Sequence, residues 1–172
     1  ATKKWKQFDG TLRRRGDGRV HAGDAPLSIS FGADASDPHV VRLTKGSDSV
    51  AFGAEGAASV PGVVDGPTVT YADAFPGVDL RETAFIGGVK EELIVRSLPE
   101  AAPVYRFGFV LSPSLKPRLT DDGAVEIVRS GEAGEVVAVI PPGVAWEADP
   151  ADPPVPVELR LVREGNDWFV DV

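Results

Sequence analysis

Apolar and polar residues alternate with a period of two in several short runs of this chain. In Leu27-Ser28-Ile29-Ser30-Phe31, the residues Leu27, Ile29 and Phe31 share one side. The same repeat runs through Tyr105-Arg106-Phe107-Gly108-Phe109 and Val155-Pro156-Val157-Glu158-Leu159-Arg160-Leu161. Successive side chains of a strand point to opposite faces, so these runs predict sheets with one face in a core and one in water. Glycine (19) and proline (15) interrupt the runs and together make up about a fifth of the chain. An interior proline costs a helix about 3 kcal/mol, so long helices are not expected. Short helical turns are expected only at 72–75 and 99–102. The fold class predicted is all-β, with roughly a dozen short, mostly antiparallel strands in sandwich-like sheets.

Turn chemistry places the hairpins. Asp17-Gly18 is expected to join 12–15 to 19–22, and Asp122-Gly123 to join 116–120 to 124–129. Gly87-Gly88 is expected to join 78–85 to 89–95, and Asn166-Asp167 to join 157–162 to 168–172. Asp-Gly and Gly-Gly between β-like runs are strong hairpin signals because they supply the backbone conformations tight turns demand. The most distinctive stretch is Val69 to Leu80, where Tyr71, Phe75, Pro76, Gly77 and Asp79 read as a structural corner. Pro76 presets the first turn dihedral, Gly77 tolerates the positive φ of a type II turn, and Asp79 can accept from backbone donors nearby.

The length of 172 residues suits a single sandwich-like module that buries roughly 70% of its unfolded surface. The Ala- and Gly-rich stretch 53–66 leaves room for two β lobes, 1–60 and 61–172. A net charge of −8 argues against affinity for nucleic acid, whose phosphates need a basic face. No apolar run approaches the ~20 residues of a membrane-spanning helix, so no membrane insertion is expected. Cysteine is absent, which removes disulfides and thiolate chemistry. Methionine is absent too, and the start at Ala1 reads as a mature product or an excised piece.

Thr70-Tyr71, the run from Phe75-Pro76-Gly77 to Val78-Asp79-Leu80, and Tyr105-Arg106-Phe107 follow one another in order. Leu119-Thr120-Asp121-Asp122-Gly123 and Pro141-Pro142-Gly143-Val144-Ala145-Trp146 come after them. This series resembles an all-β domain of very large secreted or surface-anchored bacterial proteins, found beside YD-repeat (Rhs-like) shells and DNRLRE modules. Asp9-Gly10-Thr11-Leu12 and Pro26-Leu27-Ser28 are similar to the early strands of those modules. The resemblance implies a non-catalytic structural or interaction module, extracellular or at the cell surface, whose partners are neighbouring modules of one polypeptide. It brings no catalytic residues and no cofactor.

Candidate chemistry adds little to that expectation. His21 falls in a strand-like run and His39 in a loop, with no Gly-x-Ser-x-Gly elbow to serve either, so no catalytic residue is assigned. Acid pairs occur at Asp121-Asp122, at Glu91-Glu92, and at Asp79 with Glu82, which keeps a glycoside or other hydrolase as an alternative. Glu92 shares a strand face with Lys90 and Ile94. That leaves Glu91 beside Leu93 and Val95, so one of these acids is expected to be partly buried, against a default of solvated or turn roles for the acids. Asp9, Asp17, Asp34, Asp37, Asp121 and Asp122 are turn residues that bond their own backbone more readily than calcium, so no metal is assigned. Trp5, Trp146 and Trp168 are candidate contacts to a ligand or adjoining module, and exposed aromatics would also suit a carbohydrate-binding module taking polysaccharide. The basic residues Lys3, Lys4, Lys6 and Arg13-Arg14-Arg15 read as a guarded edge strand.

Overall fold

Val, Ile and aromatic residues at alternate positions, closed by glycine turns, produce seventeen strands among the described residues. The computed structural model describes residues 8–23, 26–97, 103–131, 134–147 and 152–172. Its largest sheet has eight strands in the order β1-β2-β3-β4-β5-β10-β17-β16. They are β1 (Leu12–Arg14), β2 (Val20–Ala22), β3 (Ser28–Phe31), β4 (Val41–Lys45), β5 (Asp48–Ala54), β10 (Arg106–Leu111), β17 (Asp167–Asp171) and β16 (Arg160–Glu164). A four-stranded sheet takes β6 (Gly62–Asp65), β7 (Thr68–Phe75), β8 (Val78–Phe85) and β9 (Gly88–Val95) in chain order. A three-stranded sheet holds β11 (Leu115–Leu119), β12 (Val125–Arg129) and β13 (Val136–Ile140), and β14 (Gly143–Ala145) pairs with β15 (Val155–Val157) as a ribbon. All the strand pairings are antiparallel.

The eight-stranded sheet carries two apolar clusters on one face. Ile29, Phe31, Val41, Ala54 and Phe107 pack with Val69, Tyr71, Leu80 and Ala84 of the four-stranded sheet. Farther along, Val50 and Val170 pack with Leu115, Val125 and Ile127 of the three-stranded sheet. Leu43, Phe52, Phe109 and Val172 touch both clusters. Phe52 and Phe109 stack at 5.3 Å between ring centroids. The architecture is thus all-β and sandwich-like, with two smaller sheets laid on one long sheet. The stretch 53–66 runs from β5 of the long sheet into β6 of the four-stranded one.

Several local expectations change. The run 72–75 is an irregular part of β7 rather than a helical turn. Pairing with β8 shifts between Tyr71 and Phe75, and Asp73 adopts φ 53°. Pairing resumes at Phe75 and Val78, so three residues of β7 oppose the single Asp79, a bulge of two extra residues in which Ala74 stays buried. The turn between β8 and β9 centres on Ile86-Gly87, one residue earlier than expected, since Phe85 pairs with Gly88. The last hairpin turns at Gly165-Asn166, where Gly165 supplies φ 62°. The alternating run from Val155 to Leu161 is two strands, because β15 ends at Val157 and β16 begins at Arg160. The expected turn at 99–102 lies outside the described residues, as do Trp5 and the three N-terminal lysines.

Candidate functional site

The corner built by Tyr71, Phe75, Pro76, Gly77 and Asp79 comes together in space. The Tyr71 ring is fully buried, and its hydroxyl donates to the Gly32 carbonyl at 2.7 Å, tying the four-stranded sheet to the loop after β3. Gly62 pairs with Tyr71, and a Cβ there would stand 2.7 Å from the ring and 2.7 Å from Val69, so only glycine fits. Phe75 packs on Tyr105 at 5.0 Å. The Asp73 amide donates to Asp79 Oδ1 at 2.8 Å, and Arg96 bridges Asp73 and Asp79. Gly77 sits at φ 73°, with Ser97 Oγ 2.9 Å from the place a Cβ would take. Gly77→Ala is therefore expected to lower stability by about 1–2 kcal/mol, read from urea unfolding midpoints. An unchanged midpoint would mean that the turn does not need its left-handed residue. Every one of these contacts is structural.

The tryptophans separate. Trp146, 61% exposed, follows β14 directly, with Lys90 Nζ over its ring at 5.9 Å. Trp168 pairs with Phe109, so it shares the core-side parity of that residue, and the Arg163 guanidinium covers its ring at 5.3 Å. The opposite face of the long sheet carries a groove of about 620 Å³, bordered by His39, Gly53, Glu55, Gly108 and Phe169. Its floor is the cross-strand pair Gly53 and Gly108. Phe169 forms one wall, with Gly108 beneath its ring and the Arg106 guanidinium 5.2 Å from the ring centre. A sugar would find no free aromatic face on that wall.

Arg19 is the strongest polar feature that sequence reasoning missed. Its buried guanidinium donates to Ser30 Oγ (3.1 Å), Asp37 Oδ2 (2.7 Å) and the carbonyls of Ser30 (3.2 Å), His39 (2.9 Å) and Val40 (2.9 Å). Burial, then the nearby Arg42 charge, lowers its pKa, and the Asp37 carboxylate counters them. Nothing local in the sequence marks Arg19, because every partner except the strand neighbour Ser30 comes from the loop between β3 and β4. Arg129 forms a second junction, donating to both oxygens of Asp48 at 2.9 and 2.8 Å between the three-stranded and the long sheet.

The turn aspartates bond their own backbone as expected. Asp9, Asp17, Asp34 and Asp37 each accept from the amide two residues on, at 2.9–3.0 Å. The backbone amide of Arg19 and then the His21 ring hold the Asp17 carboxyl below its usual range. His21 Nε2 lies 2.9 Å from Asp17 Oδ2, while His39 sits on the groove rim. Among the described residues, no group of three or more His, Asp or Glu is placed to hold a metal ion. No helix there is long and apolar enough to cross a membrane.

The acids rearrange. Asp121-Asp122 occupies a hairpin turn, and Glu92 accepts from Lys90 on the outer face at 2.7 Å. Glu91 shares the strand face of Leu93 and is the acid that turns inward. Directly opposite it stands Glu82, whose side chain is fully buried. Glu82 occupies the apolar side of β8 with Val78, Leu80 and Ala84, and its position in that alternation was the signal that could have found it. Glu82 stands in the core between the sheets, and Glu91 lies partly exposed opposite it. Compared with protein-family models, curated proteins and solved structures, the chain matches none.

Proposed function

We propose that this chain is a non-catalytic structural and interaction module of a large secreted or cell-surface bacterial protein. The observation that carries the reading is where the strongest polar groups are used. Arg19, Tyr71 and the Arg129–Asp48 pair all bridge separate elements of the fold. A body fastened in this way suits a stiff spacer that sets the direction of its neighbours, which are its proposed partners. The resemblance of the Tyr71–Asp79 corner to the modules flanking YD-repeat shells supplies the extracellular setting. The natural reading frame tests the proposal: continuation into further β modules is the expected result. A frame coding for this domain alone would defeat it.

A carbohydrate-binding module is the second reading, favoured by the exposure of Trp146 at the end of β14, two residues after the exposed Val144. On that reading a glycan array gives discrete hits that Trp146→Ala weakens at least ~10-fold, as loss of an aromatic stacking platform of about 1.5 kcal/mol requires. A flat array removes it.

A further inference from the structure

Glu82 and Glu91 take no part in the bonds that fasten the sheets. β8 presents Val78, Leu80, Glu82 and Ala84 to the core, and β9 sets Val95, Leu93, Glu91 and Val89 directly opposite them. Directly opposed side chains on neighbouring strands have Cβ atoms about 5 Å apart. Both carboxylate oxygens of Glu82 and Oε2 of Glu91 are shut away from solvent with no hydrogen-bond partner outside the pair itself. β9 is the end strand of its sheet, and Glu91, only half-buried, links the pair to the surface.

The charged and titratable neighbours offer no compensation. Glu91 and Glu92 act on Glu82 from β9, both with the same sign of charge. From β7 the pair meets Tyr71, whose hydroxyl is held by Gly32. Burial, reinforced by Glu82, pushes the Tyr71 ionisation upward, so it stays neutral. From the facing sheet and its loop, Arg19, Asp37 and Asp34 bear on Tyr71. Arg19 is already engaged by Ser30, Asp37, His39 and Val40.

We propose that the Glu82–Glu91 pair is a proton-dependent latch on the edge strand β9, closed while the two carboxyls retain protons and released when both ionise. A carboxyl pair can be accommodated in an apolar core while it is protonated. Two like charges a few ångströms apart, with no cation, cannot. Burial raises both groups, Glu82 further through the charge of Glu91, and Glu91 to about 7. Their folded values lie above the unfolded value of 4.5, so the folded state holds protons that the unfolded chain has released. Stability from this pair is therefore complete on the acid side, and is lost as pH rises from the unfolded value through the folded ones. Asp17, Asp34 and Asp171 have lowered values and behave oppositely, weakening the fold only as pH falls. Release of β9 would bare the backbone edge of β8 beside Leu80, an acceptor for an added strand.

The test compares amide-exchange protection factors, corrected for intrinsic rate, in β9 and in β12 at pH 5 and pH 8.5. In the wild-type chain, β9 protection is expected to fall about 50-fold more than that of β12, from the Glu91 proton alone. The double variant Glu82→Gln with Glu91→Gln is expected to abolish that difference. A wild-type β9 that tracks β12, or an equal fall in the double variant, would overturn the latch. If the double variant does not fold, carboxyl-carbon NMR titration of the wild type decides. Two glutamates titrating well above the rest support the latch, and uniform titration near the ordinary ~4.3 refutes it.

Discussion

Arg19→Ala is expected to destabilise the chain by about 3–5 kcal/mol, roughly a 10 °C drop in Tm. The substitution takes the guanidinium from the Ser30 and His39 carbonyls and from Asp37 Oδ2, while the Val40 carbonyl keeps the Gly32 amide at 2.7 Å. Each bare buried acceptor costs about 1–3 kcal/mol, partly relieved where water can enter. Arg19→Met keeps the apolar stem and should lose nearly as much, because the loss comes from the guanidinium. Arg19→Lys should recover less than half, since one ammonium with three donors cannot span five directed bonds. Urea unfolding of the three variants checks this. A loss below about 1 kcal/mol for Arg19→Ala would show that the loop before Val40 holds its shape without the arginine.

Tyr71→Ala is expected to cost a comparable 3–5 kcal/mol, approximately the loss for emptying a fully packed aromatic site. The ring fills the space between the four-stranded sheet and the long sheet, and Gly62 is shaped to admit it. Tyr71→Phe separates the two contributions. It keeps the ring and leaves the Gly32 carbonyl without its donor, so about 1–2 kcal/mol should be lost. If Tyr71→Phe unfolds at the wild-type midpoint, the hydroxyl bond between sheet and loop adds nothing, and packing alone holds the corner.

Local turn chemistry was the most legible layer. Asp17-Gly18 and Asp122-Gly123 lie in loops whose glycines take φ 81° and 83°, a backbone demand visible from residue type alone. Alternation likewise identified the buried faces of Ile29 and Phe31, and it set Glu91 on the strand face of Leu93 without showing which acid is buried. Small errors in turn placement proved consequential. A turn centred on Gly87-Gly88 would set Glu82 opposite Leu93. Moving it back one residue shifts every partner by two and brings the two glutamates face to face.

The primary sequence by itself determined that this chain makes short antiparallel strands, where most of them turn, and which side of each strand is apolar. Those properties depend on neighbouring residues, through backbone sterics and the two-residue period of the strand. Only the tertiary structure decided that β5 pairs with β10, that Arg19 is enclosed by a loop up to twenty-one residues away, and that Glu82 meets Glu91 in the core. Such contacts are selected by the joint burial of many side chains from separate elements, and no single stretch of sequence contains that sum.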